Sequence, residues 1–392
     1  MTARHRFALT DWLACAAGGA REPAAVAARA AGDGLLERVA AAGAAGHVLD
    51  FDDTYAPGLA HLSAATAPAA LVLGAELGAT VGAALAAYAA GFEAMGALAR
   101  TCHPALYDGG WHPTAVCGSA GAAVVAARLQ DLDTGRERRA IALALLRAGG
   151  LRAAFGSDGK ALQVGMASAA GVHAARLAAA GAAVDAGAIM GARAGFAEAF
   201  SVATSAATLD AMIEAADSAA TAGQAVAENW IKAYPCCLQT HAAIDAALAL
   251  GGQPPPASEI TVTVHPVSRR AAALDEVGDG LQAKFSIPYL TAYALLRGAP
   301  DLRAFAHLDV DVAALARRVR VRTDPALGAA EAILELDGRA AARVTAPRGS
   351  PANPLDAAAL ASKVRSLAGE ALAGALEDAS RPAAALTGAA GL

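Results

Sequence analysis

Small side chains dominate this chain and limit what it can fold into. Alanine supplies 118 of the 392 residues and glycine another 40, whereas aromatic residues make up only 4 %. Alanine is the strongest helix former, and a core built largely from it requires helices that lie close together. The composition therefore predicts a helix-rich protein with a large core, in one long domain or two ordinary ones.

Up to about residue 250, apolar residues recur at helical spacing and are interrupted by Gly, Pro and Asp. The predicted helices are 69–100, 114–130, 136–149, 160–181 and 241–250. No strand is clearly indicated in this part. The apolar stretch 68–100 contains Glu76 and Glu93 and consists mainly of Ala and Gly. It therefore predicts a buried pair of helices rather than a membrane span.

The pattern changes after the proline-rich segment 251–256, which predicts a linker and a domain boundary. Beyond it, period-two alternation predicts short strands, and helical spacing returns near the C-terminus. The predicted segments are a strand at 259–266, a helix at 286–297, a strand at 317–322, a hairpin at 332–344 that turns at Asp337-Gly338, and helical structure over 355–376.

Together these patterns predict a mainly α fold, in which a large discontinuous helical domain contains a smaller α+β insert. The helical domain begins with residues 1–253, the α+β domain spans 254–350, and the C-terminal helices at 351–392 return to the helical domain. We expect the closing segment 382–392 to be a frayed tail.

Lysine is almost absent, since only four of the 31 basic residues are lysines. A codon bias that replaces surface lysine by arginine is the simplest cause, so each retained lysine is a candidate for chemistry that a guanidinium cannot perform. Lys160, Lys232 and Lys284 lie in polar segments where predicted helices begin, whereas Lys363 is expected on the surface of a helix.

Charge and cysteine content exclude several classes of protein. The net charge is −5 without a basic cluster, so no nucleic-acid partner is expected. The first twenty residues lack the long apolar core of a secretory signal. Five cysteines without paired metal-ligand spacing predict free thiols in a reducing cytoplasm.

Acidic residues crowd the segment 47–54, and His61 follows shortly afterwards. On a helix, Asp50, Asp53 and Thr54 would share one face, and the neighbouring carboxylates would raise at least one pKa or orient a cation. Helix capping explains such a cluster equally well. Divalent metal binding is a rival use, although the carboxylate spacing matches no standard metal-binding loop.

A second polar segment, 109–114, leads directly into a predicted helix. Pro113 at the first helical position places His112 beside the free N–H groups of the helix N-terminus. This environment favours anions and a neutral imidazole, which is a competent general base near pH 7. The alternative is a histidine that only satisfies the turn.

Three more polar segments, 157–165, 232–241 and 284–289, also lead into predicted helices. The second of them contains Cys236 and Cys237. Adjacent cysteines cannot readily chelate one metal or bridge each other, so we expect reactive or packing roles for them.

In this order, the segments HVLDFDDT, GWHPT, SDGKALQVG, KAYPCCLQTH and AKFSIPY resemble the MmgE/PrpD family over about residues 10–350. That family includes 2-methylcitrate dehydratase, cis-aconitate decarboxylase and iminodisuccinate epimerase, which act on small di- or tricarboxylates. The resemblance implies the two-domain fold predicted above, an active site in the cleft between the domains, a homodimer, and chemistry that needs no metal or organic cofactor.

The resemblance also selects residues from these segments as a candidate site. The catalytic candidates are Asp50, Thr54, His61, His112 and Lys160, and the substrate-binding candidates are Lys232, Tyr234, Cys236, Cys237, Gln163, Ser286 and Tyr289. Two positions depart from the family. Cys237 falls where the decarboxylase has a histidine, and 161–163 is Ala-Leu-Gln where many dehydratase-like members have Arg/Pro-Leu-His.

Family chemistry suggests a role for each catalytic candidate. We expect His112 to remove or deliver a proton α to a carboxylate, and Lys160 to stabilise the developing charge or act as the opposite acid or base. His61, oriented by Asp50 and Thr54, is the expected second proton-transfer group.

The leading interpretation is a dehydratase similar to 2-methylcitrate dehydratase. An epimerase of the iminodisuccinate type is a nearly equal alternative, since both reactions use α-proton transfer. Cys237 argues against decarboxylation of cis-aconitate. A non-catalytic carboxylate-binding protein is the alternative from another class, and neither reading involves a membrane or nucleic acid.

Overall fold

The computed structural model describes residues 2–251, 258–372 and 374–392, so the predicted linker lies, apart from Gly251, outside the described residues. Helices before residue 230 are α1 Ala3–Gly19, α2 Pro23–Ala30, α3 Leu35–His47, α4 Leu62–Pro68, α5 Gly74–Glu76, α6 Val81–Cys102, α7 Ala105–Asp108, α8 Pro113–Leu129, α9 Thr134–Leu145, α10 Gly159–Ala179, α11 Ala186–Met190, α12 Phe196–Phe200, α13 Ala206–Ser218 and α14 Gln224–Ala227. Later helices are α15 His241–Ala249, α16 Pro266–Ala271, α17 Gly280–Ala283, α18 Ile287–Arg297, α19 Val310–Ala316, α20 Ala357–Ala368 and α21 Ala384–Ala390. The strands are β1 Thr54–Tyr55, β2 Asn229–Trp230, β3 Ile260–Val264, β4 Val319–Thr323, β5 Ala332–Leu336 and β6 Arg339–Val344.

The described residues form a mainly α fold with a small mixed sheet, which confirms the predicted fold class. Helices α8, α10 and α15 match their predicted ranges to within two residues. The helix pair predicted within 69–100 is divided at Gly78, which turns the chain at a φ of 68° before α6 begins. A π-helical turn, Ala69–Leu73, joins α4 to α5.

The strands β4-β3-β5-β6 form one sheet in that order, and β1 pairs with β2 in a separate short ribbon. The pair β3–β4 is parallel, whereas β3–β5 and β5–β6 are antiparallel. The predicted hairpin is confirmed: β5 and β6 are joined at Asp337 and Gly338, which both have positive φ as a tight hairpin requires. The sequence did not indicate β1 and β2.

The described residues contain two large apolar cores and one small apolar cluster around Leu49 and Phe51. One large core is built mainly from α1 to α13 with α20 and α21, and the other from α15, α18 and α19 against the sheet. The second core begins at Tyr234. The domain boundaries at 253/254 and 350/351 remain predictions.

The C-terminal segment is part of the first core, so the prediction of a frayed tail is wrong. Helix α21 packs on α1 and on the π-helical turn, and Leu386 is only 1 % exposed. Apolar side chains at helical spacing in α21 provide the buried face that a frayed tail would lack.

Helix α6 is long and apolar enough to cross a membrane, but 78 % of its most apolar stretch is buried inside the protein. It packs against α8 and α13. This burial confirms the predicted helix pair in the core and gives no support for a membrane span.

Glycines allow the helices to approach closely where they cross. A Cβ added at Gly165 of α10 would clash with the carbonyl oxygen of Ala40 in α3, and one added at Gly43 would lie 2.7 Å from the Gly165 Cα. Both contacts involve backbone, which cannot move aside as a side chain can. The α3–α10 crossing therefore depends on residues without side chains.

Lys363 contradicts the prediction of a surface residue, since it is only 7 % exposed. Its Nζ lies 2.6 Å from Asp11 Oδ1, donates to the Phe51 carbonyl at 2.7 Å, and lies 3.7 Å from the centre of the Phe51 ring. Helix α20 packs against α1, and this contact turns the lysine inward.

We expect Gly165→Ala to lower the free energy of unfolding by about 1–3 kcal/mol, because the new methyl group would force α3 and α10 apart. Urea unfolding followed by circular dichroism measures the change. Gly149→Ala is the matched control, since no atom lies within 4 Å of the added Cβ there. Equal stability of the two variants would contradict the close crossing.

We expect Lys363→Met to lower the free energy of unfolding by about 3–5 kcal/mol, because Asp11 would lose its buried partner. The exposed Arg365 lies in the same helix, so Arg365→Met provides the control and should change stability by about 0.5 kcal/mol or less. A loss for Lys363→Met as small as the control's would mean that the buried ion pair is not needed.

Candidate active site

The chain leaves α3 at His47 and turns before it enters β1. Asp50 has a φ of 53°, in the left-handed region that Asp tolerates better than most residues. The segment is therefore not helical, and Asp50, Asp53 and Thr54 do not share a helix face. Thr54 instead pairs with Trp230, and this strand pairing draws the segment away from the axis of α3.

All four lysines of the chain donate to the three-residue turn 49–51. Lys160 binds Asp50 Oδ1 at 2.7 Å, and Lys232 binds Asp50 Oδ1 and the Asp50 carbonyl oxygen, both at 2.9 Å. Lys284 donates to the Leu49 carbonyl at 2.6 Å, and Lys363 to the Phe51 carbonyl at 2.7 Å. Each lysine is at most 7 % exposed. The scarcity of lysine thus identified a structural centre, which we name the lysine turn.

Opposite charges stabilise one another at this centre. Burial alone would raise the pKa of Asp50, but Lys160 and Lys232 lower it well below its usual value. Burial likewise opposes the charge on Lys232, whereas Asp50 raises its pKa. Burial lowers the pKa of Lys284 to about 8, with Asp50 opposing the shift.

Two histidines share the carboxylate of Asp52. Asp52 Oδ2 lies 2.9 Å from His47 Nδ1 and 3.3 Å from His61 Nδ1. Thr54 Oγ1 lies 3.4 Å from the same nitrogen of His61. The expected orientation of His61 by Asp50 is therefore wrong, because Asp50 contacts the lysines and Asp52 holds the imidazole.

Burial keeps this histidine pair neutral. It lowers the pKa of His61 to about 3, against the opposing effect of Asp52, and it also lowers the pKa of His47. Burial would raise the pKa of Asp52, but His47 and His61 lower it well below its usual value. Asp52 is thus a carboxylate that accepts hydrogen bonds from two neutral rings.

The sequence motif contained His47 and Asp52, but it gave no reason to select them as site residues. Together with His61 they offer three ligand atoms within 4.8 Å of one another, the spacing that a metal ion requires. We interpret the group as a hydrogen-bonded network, since Oδ2 contacts both rings and the nearby ammonium groups of Lys160 and Lys232 disfavour another cation.

His112 precedes α8 as predicted, with Pro113 at the first helical position. Its Nδ1 lies 2.7 Å from Gln163 Nε2, and its ring meets Phe155 edge-on at 5.0 Å and stacks on His47 at 5.9 Å. Burial, followed by the charge of Lys160, lowers the pKa of His112 well below its usual value. A second neutral imidazole therefore lies close to the lysine turn.

A cavity of about 50 Å³ lies where the two cores meet and is lined from both sides. Seven predicted site residues line it: Asp50, Thr54, His61, His112, Lys160, Lys232 and Cys237. The sequence did not select its other lining residues, which are Leu59, Tyr107, Phe155, Leu238, Gln239, Ala271 and Phe285. Phe155 and Phe285 stack at 5.6 Å across the two sides. Leu238, Gln239 and Phe285 lie within the quoted segments but were not selected, whereas Leu59, Tyr107, Phe155 and Ala271 lie outside every quoted segment and gave no signal.

Cys237 lines this cavity, and its thiol is less acidic than that of a free cysteine. Burial, with a further contribution from Asp50, raises the pKa of its thiol to about 11. The thiol is therefore protonated near neutral pH and lacks the charge that a reactive thiolate requires.

The other five substrate-binding candidates do not line the cavity. The Tyr234 hydroxyl donates to Asp245 at 2.6 Å, and Cys236 Sγ lies 3.3 Å from Thr240 Oγ1. Ser286 caps α18, and the Tyr289 hydroxyl accepts from the Asp309 backbone N–H at 3.0 Å within the second core. Gln163 lies behind His112 and contacts it directly.

A larger cavity, of about 550 Å³, shares Lys232 with the first. Its lining contains Arg303, Arg348 and Lys363 but no histidine. Proton transfer near neutral pH calls for groups such as the imidazoles, so the smaller cavity is the candidate active site.

Comparison with known families accounts for most of the chain. The model of the MmgE/PrpD N-terminal domain matches residues 37–209, and that of the MmgE/PrpD C-terminal domain matches residues 234–385. No curated protein matches the chain. The chain belongs to the MmgE/PrpD family, whose members are generally enzymes of the dehydratase and lyase type.

Proposed function

We propose that the chain is a hydro-lyase similar to 2-methylcitrate dehydratase, acting on a small hydroxylated di- or tricarboxylate. One observation carries the proposal: Asp50 lies between two ammonium groups in the same cavity as two neutral imidazoles. Such a cavity combines cations for the carboxylates, a base for a carbon-bound proton and an acid for a departing hydroxide.

The charges around the cavity suit an anionic ligand that also carries a hydroxyl group. Lys160 and Lys232 bring two positive charges against the one negative charge of Asp50. Asp50 Oδ2 has no hydrogen-bond partner among the described residues. A carboxylate oxygen only accepts, so a hydroxyl group is a better partner for it than a substrate carboxylate.

In the proposed reaction His61 removes the proton α to a carboxylate. The electron pair of the broken C–H bond forms the carbon–carbon double bond, and the hydroxyl group leaves from the adjacent carbon. Lys160 supplies the proton that turns the departing hydroxide into water. His61 then releases its proton to solvent, and Lys160 takes one up from solvent, which restores both groups. Each of these groups is a side chain of the chain, so the proposed steps require no cofactor.

An iminodisuccinate-type epimerase is the second candidate. The observation that favours it is the presence of two imidazoles, His61 and His112, in one cavity, since epimerisation needs proton transfer at both faces of a carbon. Decarboxylation of cis-aconitate has weaker support, because Cys237 is a protonated thiol where the decarboxylase has a histidine. A non-catalytic carboxylate-binding protein would not need the paired imidazoles.

The cavity must widen before such a substrate can bind. Its volume is about 50 Å³. Most ligand pockets are larger than about 300 Å³. Phe155 and Phe285 stack between its two sides, so their separation is the simplest way to open it. A homodimer and a cytoplasmic location remain proposals drawn from the family resemblance and the free cysteines.

Incubation with 2-methylcitrate, citrate, cis-aconitate and iminodisuccinate in deuterated water, followed by proton NMR, tests this function. We expect loss of water from a hydroxylated substrate. His61→Gln and Lys160→Met should each lower turnover at least about 100-fold, because each removes a proton-transfer group. His173→Gln is the matched control, since His173 is exposed on the same helix as Lys160.

Other outcomes of this experiment would assign a different function to the chain. Deuterium exchange at one carbon without net conversion would identify an epimerase, and release of carbon dioxide would identify a decarboxylase. Binding of all four compounds without any change would favour the non-catalytic alternative. Near wild-type turnover by a folded His61→Gln variant would refute the proposed base.

Activity should persist at acidic pH. A base acts when unprotonated, and because the pKa of His61 is lowered to about 3, acid protonates little of it above pH 5. An ordinary imidazole would lose about 30-fold of its basic form between pH 8 and pH 5. We expect kcat/KM, corrected for ionisation of the substrate, to fall less than about threefold over this range. A midpoint near pH 6.5 in the folded enzyme would contradict a buried neutral base.

A further inference from the structure

Gln163 joins His112 to the backbone of Leu151. The Leu151 N–H donates to Gln163 Oε1 at 2.9 Å, and Gln163 Nε2 lies 3.3 Å from the Leu151 carbonyl oxygen. The same Nε2 lies 2.7 Å from His112 Nδ1. The side-chain amide is therefore held by two backbone groups on one side and contacts the imidazole on the other.

These contacts determine which ring nitrogen of His112 carries the proton. A backbone N–H can only donate, so the amide atom that faces it must be the oxygen, and the NH₂ group must face His112. An NH₂ group can also only donate, so His112 Nδ1 must accept. The proton of the neutral ring is then on Nε2.

His61 is held in the opposite tautomer. Its Nδ1 faces the carboxylate of Asp52, which can only accept, so Nδ1 carries the proton. Its Nε2 then has a free lone pair and no hydrogen-bond partner among the described residues. Both rings line the same cavity, so the two histidines offer it different groups.

We propose that Gln163 is a positioning residue that holds His112 in the Nε2–H tautomer, so that His112 donates a hydrogen bond while His61 acts as the base. Under the proposed function, on which this role in turnover rests, His112 stabilises the negative charge that develops on a substrate carboxylate when the α proton leaves. A neutral imidazole can supply this hydrogen bond without transferring its proton. The expected role of His112 is thereby narrowed to that of a donor.

Groups from several elements surround the His112 ring. Among the charged groups, Lys160 of α10 lowers the pKa of His112 most, and Asp50 opposes this effect. His47 of α3 stacks on the ring, and His61 approaches it from the start of α4. Phe155 covers one edge of the ring. Gln163 is the only one of these neighbours for which the structure gives a hydrogen bond to Nδ1, so Nδ1 responds to its replacement first.

Histidine tautomers can be measured without a substrate, by long-range ¹H–¹⁵N correlation NMR on the full chain with ¹⁵N-labelled histidine. The spectrum of His112→Asn assigns the His112 signals. In the wild type we expect His112 protonated at Nε2 and unprotonated at Nδ1, and His61 with the reverse pattern.

Gln163→Glu changes the hydrogen-bonding character of the side chain at nearly constant shape. A carboxylate only accepts, so we expect His112 Nδ1 to become protonated. Gln130→Glu is the matched control, because Gln130 contacts the Ala126 carbonyl at the far end of α8 and should leave the His112 pattern unchanged. If Gln163→Glu fails to fold, Gln163→Met, which cannot donate, should give a mixture of both His112 tautomers.

An Nδ1–H tautomer in the wild type would overturn the proposal, as would an unchanged His112 pattern in a folded Gln163 variant. Turnover provides a separate test: Gln163→Glu should lower kcat at least about tenfold with little change in KM, because the lost donor acts on charge that develops only in the transition state. If the tautomers are as expected but none of the four compounds reacts, the proposed function fails while the positioning role of Gln163 stands.

Discussion

The convergence of four buried ammonium groups on residues 49–51 is the constraint on which the rest of the site depends. A buried cation is stable only when it is paired and hydrogen-bonded, and the lysine turn supplies one carboxylate and three backbone carbonyls for this purpose. The donors come from distant parts of the chain, including α10, α20 and the segment before α18. The lysine turn therefore ties both cores to the same point, and the cavity lies beside it.

This concentration of charge also explains the state of the surrounding imidazoles. Burial and the neighbouring lysines disfavour the protonated rings of His61 and His112, and Asp52 is the carboxylate that holds His61 in place. Two uncharged rings beside fixed cations can exchange or share protons with a bound anion without first losing a proton to solvent. The electrostatics of the lysine turn thus favour the uncharged rings on which the proposed chemistry depends.

The sequence predicted the helical fold, the late α+β insert and half of the residues that line the cavity, because helical periodicity and the order of the polar segments are local features. It failed where distant contacts decide the outcome. Asp50 has a left-handed backbone conformation, and its partners Lys160 and Lys232 lie more than a hundred residues away in the sequence. Lys363 turns inward because α20 packs on α1. Asp52, rather than Asp50, orients His61, since Asp50 contacts the lysines. Tyr289, selected by resemblance, lies in the second core because its hydroxyl binds the backbone of Asp309.

Three of the four lysines bind carbonyl oxygens of the main chain, at Leu49, Asp50 and Phe51. A carbonyl is present whatever side chain its residue carries, so exchange of Leu49 or Phe51 leaves the receiving atoms in place. The lysine ammonium groups cannot be replaced in this way, since a guanidinium is wider and planar and cannot enter the space of an ammonium group. The sensitivity of this centre to substitution is therefore uneven. It lies in the four lysines and in Asp50, whose carboxylate receives Lys160 and Lys232, and a lysine-to-arginine exchange that is harmless on most protein surfaces removes an ammonium group here that nothing replaces.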